Sequence, residues 1–120
     1  GIRVQYSAPT NSRIYNNTVY NAGWEEGGIN IGADATGIVV KNNIVYNVAI
    51  GINNWGANSS VSNNLLPANN PRFIDATNGN FALQQGSPAI DTGVPLNDVP
   101  VDFNGTKRPQ GGGYNIGAFE

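Results

Sequence analysis

The sequence predicts an all-β solenoid, one domain of about three stacked rungs followed by an irregular C-terminal cap. Three observations predict it: a β-branched bias, two interleaved repeats, and apolar alternation with period two inside each repeat. The 120 residues suffice for one core and not for two of ordinary size. Eleven Ile and ten Val stand against four Leu, a bias that suits pleated, half-buried surfaces better than helices. Ile, Val, Leu and Phe make 29 of the 120 residues, above the range in which disorder is the default expectation.

The first repeated element is Gly1-Ile2-Arg3-Val4, which returns as Gly28-Ile29-Asn30-Ile31 and as Gly51-Ile52-Asn53-Asn54, at offsets of 27 and 23. Alternation turns Ile2, Ile29 and Ile52 inward and therefore Arg3, Asn30 and Asn53 outward as one polar, flat column. The second element runs Ile14-Tyr15-Asn16-Asn17-Thr18-Val19-Tyr20-Asn21, then Val40-Lys41-Asn42-Asn43-Ile44-Val45-Tyr46-Asn47, then more loosely Val61-Ser62-Asn63-Asn64-Leu65-Leu66. Here Ile14, Val40 and Val61 point inward, while Tyr15, Lys41 and Ser62 form an outward column. Rungs about 4.8 Å apart bring equivalent side chains directly above one another, so aligned residues become ladders. Asn17, Asn43 and Asn64 are expected to form a structural Asn ladder at a turn, because Asn tolerates the left-handed backbone and its amide both donates and accepts. Helical repeats would space apolar residues by three and four, and a leucine-rich repeat would need more Leu.

Past Asn70 the repeat stops. Pro88, Pro95, Pro100 and Pro109, with Gly111-Gly112-Gly113, exclude continuous strands, so residues 71–120 read as short strands and loops that pack along the solenoid and close its C-terminal end. Asp91, Asp102, Arg108 and Glu120 are expected to form an ion-pair network there. At the other end Gly1-Ile2-Arg3-Val4 opens directly in a rung, which leaves room for further N-terminal rungs or for another chain. Gly1 itself, in a chain with no Met, reads as a processing boundary without a signal peptide.

Variable rungs built of G-I-x-V and I-x-N-N-x-V-x-N segments resemble the right-handed parallel β-helix proteins. The resemblance covers roughly residues 1–70 and continues into a C-terminal signature: Asn70-Pro71-Arg72-Phe73-Ile74-Asp75, Ser87-Pro88-Ala89-Ile90-Asp91-Thr92-Gly93, Asp102-Phe103-Asn104-Gly105 and Ile116-Gly117-Ala118-Phe119-Glu120. This is similar to the end segment of many secreted or surface-bound bacterial β-helix proteins, some of them polysaccharide lyases. It implies a right-handed parallel β-helix, a secreted or cell-surface location and a polysaccharide partner.

Several chemistries are excluded by composition. Without Cys there is no disulfide or thiolate, and without His the imidazole bases and commonest zinc ligands are missing. A net charge of −2, with only 12% charged residues, offers no basic footprint for nucleic acid. No apolar run reaches the length of a membrane span.

Three functional readings remain. The leading one is a non-catalytic carbohydrate-binding module of a glycan-degrading protein. Trp24 precedes Gly28 by four residues and Trp55 follows Gly51 by four, so with Tyr6 they flank the Arg3, Asn30 and Asn53 column. Exposed rings stack on the apolar face of a sugar while amides bind its hydroxyls. The competing reading folds both Trp back as loop anchors. The enzymatic alternative is a polysaccharide lyase or glycoside hydrolase acting on acidic or plant polysaccharide. Lyases of the resembled fold take a proton alpha to a uronate carboxylate with Lys or Arg, and Lys41 with Arg13 is the best pair present, although a lone surface Lys is ordinarily solvated. For hydrolysis, Glu25 and Glu26 are adjacent and diverge. The remaining reading is a structural cap or surface-display segment. No cofactor or clustered metal site is expected; calcium would have only the Asp98 to Asp102 spacing to use.

Overall fold

The computed structural model describes residues 1–23 and 27–120; Trp24, Glu25 and Glu26 lie outside them. The described chain is all-β, with short parallel strands stacked in three columns and one 3-10 turn at Ala76–Asn78. The first rung contributes β1 (Ile2–Val4), β2 (Arg13–Tyr15) and β3 (Thr18–Tyr20). The second contributes β4 (Ile29–Ile31), β5 (Val39–Lys41) and β6 (Ile44–Tyr46), and the third β7 (Ile52–Asn54) and β8 (Ser60–Ser62). The columns run β1-β4-β7, β2-β5-β8 and β3-β6, the last extended by an isolated parallel bridge from Ile44 to Leu65.

The register is the one the repeats predict. Ile2, Ile29 and Ile52 align, as do Arg3, Asn30 and Asn53; in the second column Ile14, Val40 and Val61 align beside Tyr15, Lys41 and Ser62. Inward residues of both columns and of the third, with Ile38 and Ala35, make one core. Burial is complete in the middle rung, at Ile29, Val40 and Val45, and fades at the last, where Val61 is 39% exposed.

Turns between columns divide their labour between adjacent residues. The left-handed positions are Asn16, Asn42 and Asn63, the first Asn of each pair, with φ of 50°, 55° and 52°. The ladder is built by the second. Asn17 donates from its backbone N and its Nδ2 to Asn43 Oδ1, both at 2.9 Å, and Asn43 repeats the pair onto Asn64 Oδ1. The ladder Asn were expected to take the left-handed turn themselves; the doublet separates backbone geometry from hydrogen bonding. An earlier turn uses Asn11, Gly37 and Asn58, also left-handed. Gly37 is required there twice over, since a Cβ would stand 2.6 Å from Asn11 Oδ1.

Residues 71–120 run beside the columns. Strands β9 (Phe73–Asp75) and β10 (Asn80–Leu83) pair antiparallel. Phe73 and Phe81 meet the outward rings of Tyr20 and Tyr46, which stack on each other with centroids 6.4 Å apart. A second core of Ile44, Leu65, Phe73, Ala89 and Ile116 fills this seam. The tail then binds the turn column. Asn16 Nδ2 donates to the carbonyls of Asn115 and Gly117, and Asn42 exchanges bonds with both backbone groups of Val94. The segment expected to pack along the solenoid and close its C-terminal end thus bonds to the first two rungs, along their side.

The expected four-member ion network contracts to one buried pair. Arg108 Nη1 and Glu120 Oε1 lie 2.8 Å apart with 1% of each side chain exposed. Asp102 instead accepts backbone N–H groups from Asn104, Thr106 and Glu120. Burial would raise its carboxyl pKa, and those donors overcome burial to hold it below the ordinary 3.8. Asp91 stands apart, accepting from the Gly113 backbone.

Candidate functional site

The outward face of the β1-β4-β7 column carries the predicted residues in two adjacent rows. The first row is Arg3, Asn30 and Asn53, aligned by strand register. Arg3 is exposed and Asn53 half-buried, but Asn30 is only 1% exposed. Its Oδ1 and Nδ2 have no hydrogen-bond partner. The flat polar column expected from alternation is therefore interrupted at its centre, beside the small cavity that Arg3, Gly28 and Ala22 also line.

Two residues further along, the same face presents a second row. Trp55, whose N–H donates to Ile31 O, stands level with Gly32, whose N–H donates to Val4 O, and with Gln5. Trp55 is 59% exposed, so its ring is not folded onto the core as a loop anchor. Gly32 is buried, and Gln5 and Asp34 fill the space beside it: an added Cβ would lie 2.6 Å from Gln5 Cβ and 2.8 Å from Asp34 Oδ1. Gln5 and Trp55 sit two rungs apart, roughly 9.6 Å by rung spacing.

Strain accumulates beside this row. Tyr6, Ser7 and Ala8 are consecutive left-handed residues with φ of 66°, 62° and 50°, a costly backbone for a bulky residue such as Tyr. The turn is tied by Ala8 N–H donating to Asp34 Oδ2 at 3.4 Å, and it leaves Tyr6 72% exposed. Trp24, assigned to the opposite margin, lies outside the described residues, as do Glu25 and Glu26.

Of the residues named from the sequence, Trp55, Tyr6, Arg3 and Asn53 lie on or beside this face and Asn30 is buried within it; Gln5, Gly32 and Asp34, which share the face, were not named. Extending the repeat alignment two residues past Arg3, Asn30 and Asn53 reads Gln5, Gly32 and Trp55, so the signal was present for two of the three. Asp34 reaches Gly32 from an irregular turn, which no periodicity marks.

The Lys41 and Arg13 pair lies on the second column. Both point outward, one rung and two residues apart, roughly 8 Å between Cα atoms. The Arg13 guanidinium is bonded to the Asp98 carboxylate, an exposed ion pair, which takes up the charge that would have met a substrate carboxylate. Lys41 is flanked by Tyr15 and Ser62 in register. The Asp98 to Asp102 spacing supplies no converging oxygen set, since Asp98 faces Arg13 and both Asp102 oxygens accept backbone N–H groups. Among the described residues, no three potential metal ligands cluster, and no helix is long and apolar enough to cross a membrane. No family model, curated protein or solved structure matches the chain.

Proposed function

We propose that the protein is a right-handed parallel β-helix that binds polysaccharide without cleaving it, at or beyond the cell surface. The observation that carries this reading is the exposed Trp55 ring, set in register on the outward face that also carries Arg3, Asn53 and Gln5. An indole offers an apolar, polarisable face to the C–H groups of a sugar ring, and flanking amide groups take its hydroxyls. Tyr6, Arg3 and Asn53 extend the contact along the column, across successive sugars of a chain. A shallow, open platform suits a polymer that passes through, where a closed pocket would suit a terminal sugar.

The test is an affinity titration against neutral and acidic polysaccharides with the parent and Trp55→Ala. Binding that falls about tenfold or more in the variant, with an unchanged far-ultraviolet circular dichroism spectrum, supports the reading. Equal binding by both proteins removes Trp55 from it.

A lyase reading rests on Lys41 and Arg13 sharing one outward face, with Asp98 as the acidic partner. It requires an unsaturated product absorbing in the ultraviolet from acidic polysaccharide, lost in Lys41→Ala. Normal folding with neither binding nor product leaves a structural segment as the better account.

A further inference from the structure

The first rung presents bonding groups that the other rungs fill. In the ladder, each Asn Oδ1 accepts two N–H groups from the rung on its N-terminal side: Asn43 from Asn17, and Asn64 from Asn43. The equivalent atom of the first rung, Asn17 Oδ1, accepts no such pair. Asn16 beside it stands apart from this pattern, since its second-rung counterpart Asn42 accepts at Oδ1 from the tail's Val94 N–H. Backbone donors follow the same rule. Val39 and Ile44 donate to the carbonyls of Ser12 and Asn17, one rung towards the N-terminus. Their first-rung equivalents by register are Arg13 and Thr18, at the edges of β2 and β3.

An apolar wall stands next to this edge. A cleft of about 840 Å³ opens between Ile2 and Val19 on the rung and Phe81, Val101, Phe103 and Phe119 on the tail. Phe103 is 78% exposed, and Phe119 packs against it with centroids 5.5 Å apart. Along both the first and second rungs the tail rings beside β3 and β6 are covered, since Tyr20 packs on Phe73 and Phe81 and Tyr46 packs on Phe73, which leaves Phe103 as the exposed ring. The C-terminal face differs in kind. Pro67, which carries no N–H, lies where a following strand would stack, since a Cβ on Gly51 would meet its Cδ at 2.9 Å. The third rung's strand β8 offers only Ser60, Val61 and Ser62.

We propose that the N-terminal face seats one further parallel rung, continuous with the three columns, whose turn Asn supplies both N–H groups to Asn17 Oδ1 and whose third strand packs an aromatic side chain against Phe103. The continuity of the stacking interface argues for a rung over a globular partner: the unfilled Asn17 Oδ1 and the edge donors of Arg13 and Thr18 stand where the rungs already in place bond to one another, with the apolar wall beside them. Parallel strand addition satisfies all three at once.

The experiment places a second copy of residues 28–50 directly before Gly1, so that the copied Ile50 leads into Gly1-Ile2 as Ile50 leads into Gly51-Ile52. The expected result is a Tm raised by about 5 °C or more over the same residues appended in scrambled order. The amides of Arg13 and Thr18 should exchange with solvent at least tenfold more slowly. Phe103→Ser should leave the parent's Tm within about 1 °C and reduce the gain from the added rung. Should the extended chain not fold, a synthetic peptide of residues 28–50 added to the parent reads the same two amides, and their unchanged exchange at saturating peptide overturns the proposal. So does a Tm no higher than that of the scrambled extension. Two other results overturn it by naming a different occupant. One is protection of Arg13 and Thr18 in the unextended protein that rises with its concentration alongside a doubled sedimenting mass. The other is protection that appears only with added soluble glycan.

Discussion

Asn17 Nδ2 and Asn43 Oδ1 stand 2.9 Å apart, and Asn43 Nδ2 stands at the same distance from Asn64 Oδ1. Asn43 is the middle member, buried, and also donates to the carbonyls of Ile14 and Lys41. Asn43→Ala therefore leaves donors and acceptors of two neighbouring rungs unpaired in the interior. The expected cost is about 3 kcal/mol, against about 1 kcal/mol for Asn64→Ala, where water can reach the vacated groups. Urea denaturation of the two variants measures the difference.

The Arg108 to Glu120 pair is closed to solvent, with Arg108 also donating to the carbonyls of Val101, Asn115 and Gly117. Removing one charge strands the other where water cannot solvate it. Glu120→Gln should cost about 3–5 kcal/mol in thermal or chemical unfolding. Arg108→Met with Glu120→Gln should cost less than the sum of the single changes, because neither charge is then left alone.

Asp102 ties the stability of the tail to an ionised carboxylate. Its carboxyl pKa is lowered on folding, so ionised Asp102 stabilises the native state. That contribution is fully present above the ordinary range near 3.8 and is lost as pH falls through the lowered folded value. Unfolding free energy measured between about pH 5 and pH 2 should therefore decline in the parent, and less steeply in Asp102→Asn, which keeps one acceptor for Asn104 and Thr106.

The strands and their register were legible because they are periodic. Ile2, Ile29 and Ile52 align in the chain at offsets close to one rung, and the sheet simply realises that alignment. The Asn doublets were legible as a ladder but not as two separate jobs, because both residues of each pair tolerate the left-handed turn and only geometry assigns it to Asn16, Asn42 and Asn63. Asn30 shows the limit of alternation: period two says which side a residue faces, and the depth of cover over that side depends on loops. Residues 71–120 were legible as a segment packing along the solenoid but not in their partners, since Asn42 to Val94 and Asn16 to Asn115 join a repeat to a segment without one.

The bonds from Asn16 to Asn115 and from Thr18 to Ala118 cross 99 and 100 residues, whereas rung-to-rung hydrogen bonds such as Asn17 to Asn43 and Asn43 to Asn64 cross 26 and 21. On a ribosome the columns can thus assemble progressively, each rung templating the next, while the side that the tail will cover waits. At about 5–20 residues per second that wait lasts roughly 5 to 20 seconds, during which Tyr20, Ile44 and Tyr46 face solvent on a nascent chain. The rung that carries Asn16 and Thr18 is thus fastened only after about 100 further residues have been made.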